Sequence, residues 1–333
     1  MSDKVRVVVI GSNSFSGSDF IDLLLGSGEY EITGISRSSE KSELFLPYKK
    51  NDNLQSFTFR RLDLNKDMKE IVELIAVFRP SYIVNFAAQS EVLPSWSAPE
   101  QWFQTNVIAM TNLVRSLKDF DFLKNYVHIS SPEVYGSCSG KVYENARLNP
   151  STPYAASKAA GDLSLMTFFK NFGFPLTMVR STNVYGAHQQ LFKIIPRSVI
   201  RIKMGEKIQL HGGGRAVKSY IHIRDISRGE ERIMMRGRIG RTYHLSPCHG
   251  VSVRNVVKFL CDRMGMFFEE FTETVGERQG QDSVYEIDST LARSEFDWRP
   301  EISLETGLTK VISWIEDNWD DIARQPLEYE HRP

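Results

Sequence analysis

Residues 5–17 read Val5-Arg-Val-Val-Val-Ile-Gly-Ser-Asn-Ser-Phe-Ser-Gly17, and this stretch decides the fold. Its first six residues are mostly β-branched and apolar, as in a parallel strand that is buried on both faces. A helix is predicted directly after it. Gly11 permits a tight turn and Gly17 lets the helix pack against the strand, so the free N–H groups at the helix N-terminus can face a pyrophosphate. The stretch therefore predicts the first unit of a dinucleotide-binding sheet.

The alternation of strand and helix continues to about residue 180. Further strands are predicted at Glu31–Ile35, Phe57–Leu62, Ser81–Phe86, Tyr126–Ser130 and Leu176–Arg180. Helices are predicted at Phe15–Leu25, Asp67–Phe78, Gln101–Leu117 and Tyr154–Asn171. This order with right-handed crossovers gives an α/β fold: a doubly wound parallel sheet, the Rossmann arrangement, with helices on both faces.

Beyond residue 183 the alternation of strands and helices becomes irregular, which predicts a second, smaller lobe. We expect residues 1–182 to form the dinucleotide-binding domain, with returns to it at about 216–245 and 300–333. Residues 183–215 and 246–299 are expected to form a smaller, interleaved α/β lobe that binds the substrate. Later elements are expected as strands at Ser219–Ile223 and Tyr243–Leu245 and as helices at Val253–Met264 and Leu304–Trp314.

The amino-acid composition argues against several classes of function. The 333 residues carry 41 Lys and Arg against 41 Asp and Glu, so the formal net charge is zero, unlike that of a strongly basic nucleic-acid binder. Apolar runs are far shorter than the roughly 20 residues of a membrane span. Three scattered cysteines predict neither a disulfide framework nor a metal site, and no His, Asp and Glu cluster has metal-ligand spacing. We expect a cytoplasmic protein without nucleic-acid, membrane or metal partners.

The end of the second predicted strand bears on the choice of cofactor. It reads Ile35-Ser-Arg37-Ser38-Ser39, with no acidic residue to accept hydrogen bonds from an adenosine ribose. An arginine and two hydroxyl groups at this place suit a ribose 2′-phosphate. The pattern favours NADP over NAD, while a solvated loop cation is the plainer interpretation of Arg37.

Four residues form a candidate catalytic group. Tyr154 and Lys158 are four apart at the start of a helix and share one face, where the ammonium and a cationic nicotinamide would favour the phenolate. Ser131 and Glu133 follow the fifth predicted strand, at the sheet edge where α/β folds place their chemistry. Ser131 can hydrogen-bond a substrate hydroxyl or the Tyr154 oxygen. The plainer alternatives are a surface pair on a helix and, for Glu133, a solvated loop position.

Several motifs in the same order resemble the extended short-chain dehydrogenase/reductases that act on nucleotide sugars. The resemblance is closest to the nucleotide-sugar 4,6-dehydratases, the dTDP-glucose and GDP-mannose group. The motifs are the loop Gly11–Gly17, with Ser14 in place of a glycine, Asn85-Phe-Ala-Ala-Gln-Ser90, Asn149-Pro-Ser-Thr-Pro-Tyr154-Ala-Ala-Ser-Lys158, Arg180-Ser-Thr-Asn183-Val-Tyr185-Gly186, the stretch from Gly214 to Asp225, and Arg278-Gln-Gly-Gln-Asp282.

The resemblance implies a role for each matching position. The residues implied to bind the cofactor are Gly11, Ser14, Phe15, Gly17, Arg37, Ser38, Asp63, Leu64, Ala87, Ala88, Tyr154 and Lys158. The residues expected to bind a nucleotide-diphosphate sugar are Gln89, Ser90, Asn183, Lys193, Lys218 and Arg278. The resemblance also implies a homodimer in which helix 101–117 and the helix from Tyr154 pair with their mates in a four-helix bundle.

The implied reaction begins with oxidation at C4, where Tyr154 takes the hydroxyl proton. Glu133 then removes the C5 proton, water leaves from C6 and hydride returns there. Pro132 departs from the dTDP-glucose enzymes, which carry an aspartic acid at that place, whereas the GDP-mannose enzymes carry serine. A 4-epimerase and a UDP-glucuronate-type decarboxylase remain alternatives. In another class, a non-catalytic NAD(P)-binding sensor is an alternative, although a sensor would not need Ser131, Tyr154 and Lys158 together.

Overall fold

Seven parallel strands form the central sheet of the computed structural model, which describes residues 4–138, 140–277 and 286–332. The strands, numbered along the chain, are β1 (Val5–Ile10), β2 (Tyr30–Ser36), β3 (Phe57–Arg61), β4 (Tyr82–Asn85), β5 (Asn125–Ile129), β6 (Lys141–Val142), β7 (Leu176–Ser181), β8 (Asn183–Tyr185), β9 (Ile208–His211), β10 (Val217–Lys218), β11 (Tyr220–His222), β12 (Thr242–Leu245), β13 (Val251–Ser252), β14 (Thr272–Val275) and β15 (Glu286–Ile287). The order across the sheet is β12-β7-β5-β4-β1-β2-β3. Because β1 lies between β2 and β4, the direction of winding reverses there and opens a crevice at the carboxyl ends.

The helices lie on both faces of this sheet and in the second lobe. They are α1 (Phe15–Ser27), α2 (Met68–Phe78), α3 (Pro99–Phe103), α4 (Met110–Leu117), α5 (Pro153–Phe172), α6 (Ile194–Met204), α7 (Ile223–Arg236), α8 (Val253–Arg263), α9 (Phe268–Phe271), α10 (Thr290–Phe296), α11 (Leu304–Asp317) and α12 (Trp319–Ile322). A π-helical turn, Gln104–Ala109, joins α3 to α4. Within the described parts of the chain, no helix combines the length and apolar character that crossing a bilayer requires.

The two faces of β1 belong to two hydrophobic clusters. Val7 and Val9 pack in the cluster that holds the buried residues of α1 and α7. Val8 and Ile10 pack in the cluster of α2, α4 and α5. A continuous apolar run fits this position because neither face of the strand meets water. The predicted doubly wound parallel sheet is confirmed.

The second lobe has its own core, in which α6, α8, α11 and α12 pack together. The parallel pair β9 and β14 joins its two segments. Of the stretch 300–333, expected to return to the first domain, α11 packs against α6 and α8, whereas Arg332 hydrogen-bonds Arg37 and Gln89 of the first domain. Trp298 and α10 lie in a cluster of the main sheet. An amphipathic pattern shows that a helix has an apolar face and does not say which core that face covers. The exact domain boundaries stay a prediction.

The predicted strand at Ser219–Ile223 is shorter than expected. β11 pairs with β8, and the preceding β10 pairs with β13, so two short ladders meet at Ser219. The predicted edge strand at Tyr243–Leu245 is present as β12, which joins β7 in the main sheet. These pairings bring Asn183 on β8 and Lys218 on β10 toward the same side of the molecule.

Candidate active site

A cleft of about 670 Å³ lies over the carboxyl ends of β1, β2, β3 and β4. Among the predicted cofactor and substrate residues, those that line it are Gly11, Ser14, Arg37, Ser38, Asp63, Leu64, Ala87, Ala88, Gln89 and Ser90. They come from four separate loops, which the parallel sheet brings to one edge. Phe15 and Gly17 are buried behind the loop and support it.

The glycine loop has the close packing that a dinucleotide site requires. Gly11 has a φ of +87°, and a Cβ there would lie 2.7 Å from the Ala87 nitrogen. A Cβ on Gly17 would lie 2.4 Å from the Gly11 carbonyl oxygen. Ser14 caps α1 by accepting a hydrogen bond from the Gly17 nitrogen at 3.0 Å. The positive end of this 13-residue helix therefore faces the cleft, as pyrophosphate binding requires.

Side chains next to the loop hold the end of β2. Asn13 donates from Nδ2 to the carbonyl oxygens of Ser38 and Ser39, at 3.0 and 2.9 Å. The backbone nitrogen of Asn13 also donates to Ser36 Oγ at 3.0 Å. The backbone of residues 36–39, which includes Arg37, is thereby fixed at the rim of the cleft. Lys41 lines the same rim.

Residues 325–332, here called the crossing segment, pass over this cleft. The Arg332 carbonyl oxygen accepts from Arg37 Nη2 at 2.8 Å and from Gln89 Nε2 at 2.9 Å, and so links the walls on either side of β1. His331 stacks on Trp102 with ring centroids 5.0 Å apart and hydrogen-bonds Gln101 Oε1. No sequence motif marks this segment, so sequence analysis did not associate it with the site.

The start of α5 holds the predicted catalytic tyrosine. Thr152 caps the helix by accepting a hydrogen bond from the Ala155 nitrogen, and Pro153 occupies the first turn, where a missing N–H costs nothing. Tyr154 is buried, and the Ser131 side chain lies close enough to its hydroxyl to lower the pKa of the phenol. Ser131 Oγ also accepts from the Glu133 nitrogen at 3.2 Å. Ser131, Glu133 and Tyr154 are thus brought together by the turn after β5 and the first turn of α5.

Burial raises the pKa of Tyr154 above its usual value, and the charge of Glu133 raises it further. The Ser131 hydrogen bond acts in the opposite direction. A tyrosine near a lysine was expected to have a lowered pKa. The difference arises because burial disfavours the phenolate, and because Lys158 makes its hydrogen bonds elsewhere.

Lys158 is only 1% exposed and belongs to a chain of buried polar groups. Its Nζ donates to the Ile129 carbonyl at 2.8 Å and lies 3.4 Å from His128 Nε2. His128 Nε2 lies 3.4 Å from one oxygen of Asp162, whose other oxygen accepts from Arg180 at 2.7 Å. Sequence analysis missed His128 and Asp162, although Asp162 follows Lys158 at the helical spacing of four that was used for Tyr154.

Burial and charge set the protonation of this chain of groups. Burial lowers the pKa of Lys158 to about 8, while the Asp162 charge acts in the opposite direction. Burial and the Lys158 charge lower the pKa of His128 to about 4, so the imidazole is neutral near pH 7. Burial alone would raise the pKa of Asp162, but its His128 hydrogen bond and the Arg180 charge hold it below its usual range. Asp162 is therefore the fixed negative charge beside Lys158.

A second cavity of about 290 Å³ adjoins the cleft on the side of the smaller lobe. Asn183, Lys193 and Lys218 line it, together with Arg197 and Arg201. The predicted contact Arg278 lies outside the described residues. Within the residues described, Ser131, Glu133, Tyr154 and Lys158 line neither cavity. Ser131, Glu133 and Tyr154 form the catalytic cluster, and Lys158 lies in the neighbouring chain of buried polar groups.

Glu91 and Phe192 line both cavities and therefore mark the junction between them. Lys193 Nζ donates to Glu91 Oε1 at 2.6 Å. The Glu91 charge also raises the pKa of Tyr154, which connects the junction to the catalytic cluster. Sequence analysis missed Glu91 although it directly follows the motif residues Gln89 and Ser90.

The fold agrees with the comparisons with known proteins. The family model described as GDP-mannose 4,6 dehydratase matches residues 8–311. The chain belongs to the nucleotide-sugar 4,6-dehydratase family. Among the relatives of this dehydratase, a dTDP-glucose 4,6-dehydratase of Mycobacterium tuberculosis is 32% identical over 76% of each chain. One of Haemophilus influenzae is 25% identical over 93% of this chain and 97% of its own. The predicted family resemblance and enzyme class are confirmed.

Solved structures show the same relationship. The dTDP-glucose 4,6-dehydratase of Streptomyces venezuelae, solved with NAD bound, superposes with a TM-score of 0.87 at 29% identity, covering 95% of this dehydratase and 98% of that chain. The corresponding Bacillus anthracis enzyme in complex with NAD gives 0.86 at 26% identity, covering 95% and 98%. A UDP-glucuronic acid 4-epimerase of Bacillus cereus, at 23% identity, shares the fold.

Proposed function

We propose that this dehydratase converts a nucleotide-diphosphate hexose into its 4-keto-6-deoxy derivative. The observation that carries the proposal is the placement of Ser131, Glu133 and Tyr154 together: Ser131 Oγ accepts from the Glu133 nitrogen, and both residues act on the pKa of the Tyr154 phenol. Oxidation at C4 needs a group that takes the hydroxyl proton, and elimination needs a carboxylate that takes the C5 proton. A tyrosine and a glutamate on two neighbouring turns supply both groups.

The chain's own residues would divide the work as follows. Ser131 would hold the O4 hydroxyl and Tyr154 would take its proton. Glu133 would remove the proton at C5, which the C4 ketone makes acidic, and would later return it. A bound nicotinamide dinucleotide would supply the hydride acceptor for C4 and the hydride donor for C6. The buried Lys158 would add positive charge near the phenol and the cofactor ribose.

The cleft fits a dinucleotide, and we propose NADP as the preferred one. Gly11, Ser14 and the N-terminus of α1 would hold the pyrophosphate, and Asp63 would accept from the adenine amino group. The Arg37 guanidinium and the Ser38 hydroxyl, both at the rim of the cleft, would accommodate a 2′-phosphate. A ratio of Kd values for NAD and NADP above one would support this preference.

The second cavity would take the nucleotide diphosphate. Lys193 and Lys218 line it from the start of α6 and from β10, and Asn183 lines it from β8. Cations and an amide donor suit the oxygens of a diphosphate. The hexose would then lie at the junction of the two cavities, next to the catalytic cluster.

We further propose a homodimer. Leu163 on α5 is 61% exposed and Ile108 in the adjoining π-helical turn is 49% exposed. Apolar side chains of this size on neighbouring helices favour burial against another protein surface. A second copy of the chain, with its two helices packed on these two, would bury them in a four-helix bundle.

The function is tested with a panel of dTDP-, GDP-, UDP- and CDP-hexoses and NMR of the products in D₂O. The wild-type chain should give a 4-keto-6-deoxy sugar from at least one. Tyr154→Phe should lower turnover by about 100-fold or more while cofactor still binds. Glu133→Gln should retain C4 oxidation and lose deuterium exchange at C5. An epimerised or decarboxylated product, or full activity in Glu133→Gln, would contradict the proposal.

A further inference from the structure

Glu91 lies where the reacting sugar has to be. It lines both the dinucleotide cleft and the smaller cavity, as Phe192 does, so it stands at their junction. A substrate that reacts at the dinucleotide and holds its nucleotide in the smaller cavity must place its hexose at this junction. The Glu91 side chain is 22% exposed, which leaves part of the carboxylate open to a ligand.

Two carboxylates from different elements act on Tyr154. Glu133 belongs to the turn after β5, whereas Glu91 belongs to the loop after β4, and the charge of each raises the pKa of the Tyr154 phenol. The Asp162 charge acts in the same direction, but that carboxylate is buried and held by Arg180. A carboxylate influences a buried phenol mainly over short range. Glu133 and Glu91 are therefore the two carboxylates beside the phenol that are not already held by a buried arginine.

The proposed elimination needs two such groups. A base must take the C5 proton, and the oxygen on C6 leaves far more readily as water than as hydroxide, so an acid must donate to it. The turn after β5 offers a single carboxylate, because the residue before Glu133 is Pro132, whose side chain carries no proton. Glu133 would otherwise have to serve as both base and acid, and a carboxylate from another element would divide the two roles.

We propose that Glu91, paired with Lys193, is the acid that protonates the departing C6 oxygen. This inference rests on the proposed dehydration. Lys193 Nζ donates to Glu91 Oε1 at 2.6 Å, and the carboxylate would receive the proton that it later donates from the Tyr154 phenol. The same ion pair holds the Glu91 side chain in place at the junction.

The protons of the step balance. Glu133 takes the C5 proton, the C5–H electron pair forms the C5–C6 double bond, and the C6–O bond breaks. Before this, the proton that Tyr154 took from the O4 hydroxyl passes to the Glu91 carboxylate, and the C6 oxygen leaves as water with that proton. Tyr154 is a phenolate again, so one turnover consumes no external acid. Glu133 returns its proton to C5.

The test compares Glu91→Gln with wild type on dTDP-glucose or GDP-mannose, whichever the wild-type chain converts, and on the 6-deoxy-6-fluoro analogue of that substrate. Fluoride leaves without prior protonation, whereas the hydroxyl does not. We expect Glu91→Gln to lose about 100-fold or more in turnover of the natural substrate. It should keep deuterium exchange at C5 and should release fluoride close to the wild-type rate. Glu133→Gln should be slow on both substrates.

Glu295→Gln is the matched control. Glu295 is also a partly buried glutamate in an ion pair, with Arg241 at 2.9 Å, and it lines neither cavity. It should turn over both substrates at the wild-type rate. The inference is overturned if Glu91→Gln keeps full activity, loses exchange at C5, or is equally slow with the fluoro analogue. A wild-type chain that converts no nucleotide sugar overturns the proposed function itself, which is a separate result.

Discussion

The Asp162 carboxylate lies between His128 and Arg180, with Lys158 one helical turn away, in a region that solvent does not reach. Removing a charge from water is costly, and a buried carboxylate persists only where cations and hydrogen bonds compensate. Arg180 provides that compensation at 2.7 Å. The negative charge of Asp162 also raises the pKa of Lys158 and so favours its ammonium form.

Replacing Asp162 with asparagine should shift the pH profile of the enzyme. Lys158 is protonated below its pKa of about 8 and neutral above it. Burial and the Arg180 charge lower this pKa, the Asp162 charge raises it, and the neighbouring His128 is neutral. Without the negative charge the ammonium loses its proton at lower pH. The alkaline limb of kcat/KM, measured from pH 6 to 10, should therefore move down by about one unit.

The same change should also lower stability, because the Arg180 charge is left buried without its partner. We expect the free energy of unfolding in urea to fall by about 3 kcal/mol. Asp262→Asn, at an exposed helical ion pair with Lys258, should change neither the pH profile nor the stability. An unchanged alkaline limb in Asp162→Asn, at equal cofactor binding, would show that Asp162 does not act on Lys158.

At the scale of elements, the junction of β1 and α1 depends on a backbone contact that a methyl group would block. Gly17→Ala would place a Cβ 2.4 Å from the Gly11 carbonyl oxygen, and backbone cannot rotate out of the way as a side chain can. The loop must then move away from the helix N-terminus. We expect a loss of dinucleotide affinity of at least about tenfold, measured by fluorescence titration.

Gly26→Ala is the control on the same helix. Gly26 lies in α1 near its C-terminal end, where a Cβ would meet no atom within 4 Å. Alanine is the better helix former by up to about 1 kcal/mol, so this variant should be slightly more stable and should bind the dinucleotide normally. If Gly17→Ala and Gly26→Ala bind the dinucleotide equally well, close packing at Gly17 is not required for binding.

The elements that sequence predicts well are those whose signals are local. The apolar run at β1, the glycine turn and the Tyr154–Lys158 spacing each lie within a few residues, and the sheet follows from the order of strands and helices. The packing of α11 against the second lobe, and the approach of residues 325–332 to Gln89, depend on residues far apart in the chain. No short pattern encodes such contacts.

The candidate site divides in the same way. Tyr154 and Ser131 were found because they belong to motifs, whereas Glu91 became visible only when β4 and α6 brought it against Lys193. His128 lies on a strand that reads as apolar, and its neighbours become evident only when α5 and β7 are in place. The motif residues could therefore be predicted from a single sequence, whereas the buried and charged groups that shift their pKa values could not.

At the scale of the whole molecule, the proposed homodimer predicts a change of mass in solution. Leu163→Glu places a charge on the exposed face of α5, which the second copy would bury. The mass from light scattering should fall from two chains to one, because burying an unpaired carboxylate is unfavourable. The helix keeps its length, since glutamate is a good helix former.

Phe267→Glu serves as the control for this change. Phe267 is 73% exposed and precedes α9 in the second lobe, away from α5. Its variant should keep the mass of wild type. A wild-type mass of one chain would contradict the homodimer, and a two-chain mass for Leu163→Glu would place the interface elsewhere.

The crossing segment ties the walls on either side of β1 together above the cleft, through the Arg332 carbonyl. A molecule beneath such a bridge leaves slowly, since the bridge has to detach first. The proposed reaction restores its hydride in every cycle and needs no exchange with the cellular pool. A dinucleotide held in this way would stay with the protein from one turnover to the next, and the rate of catalysis would not depend on how oxidised or reduced that pool is.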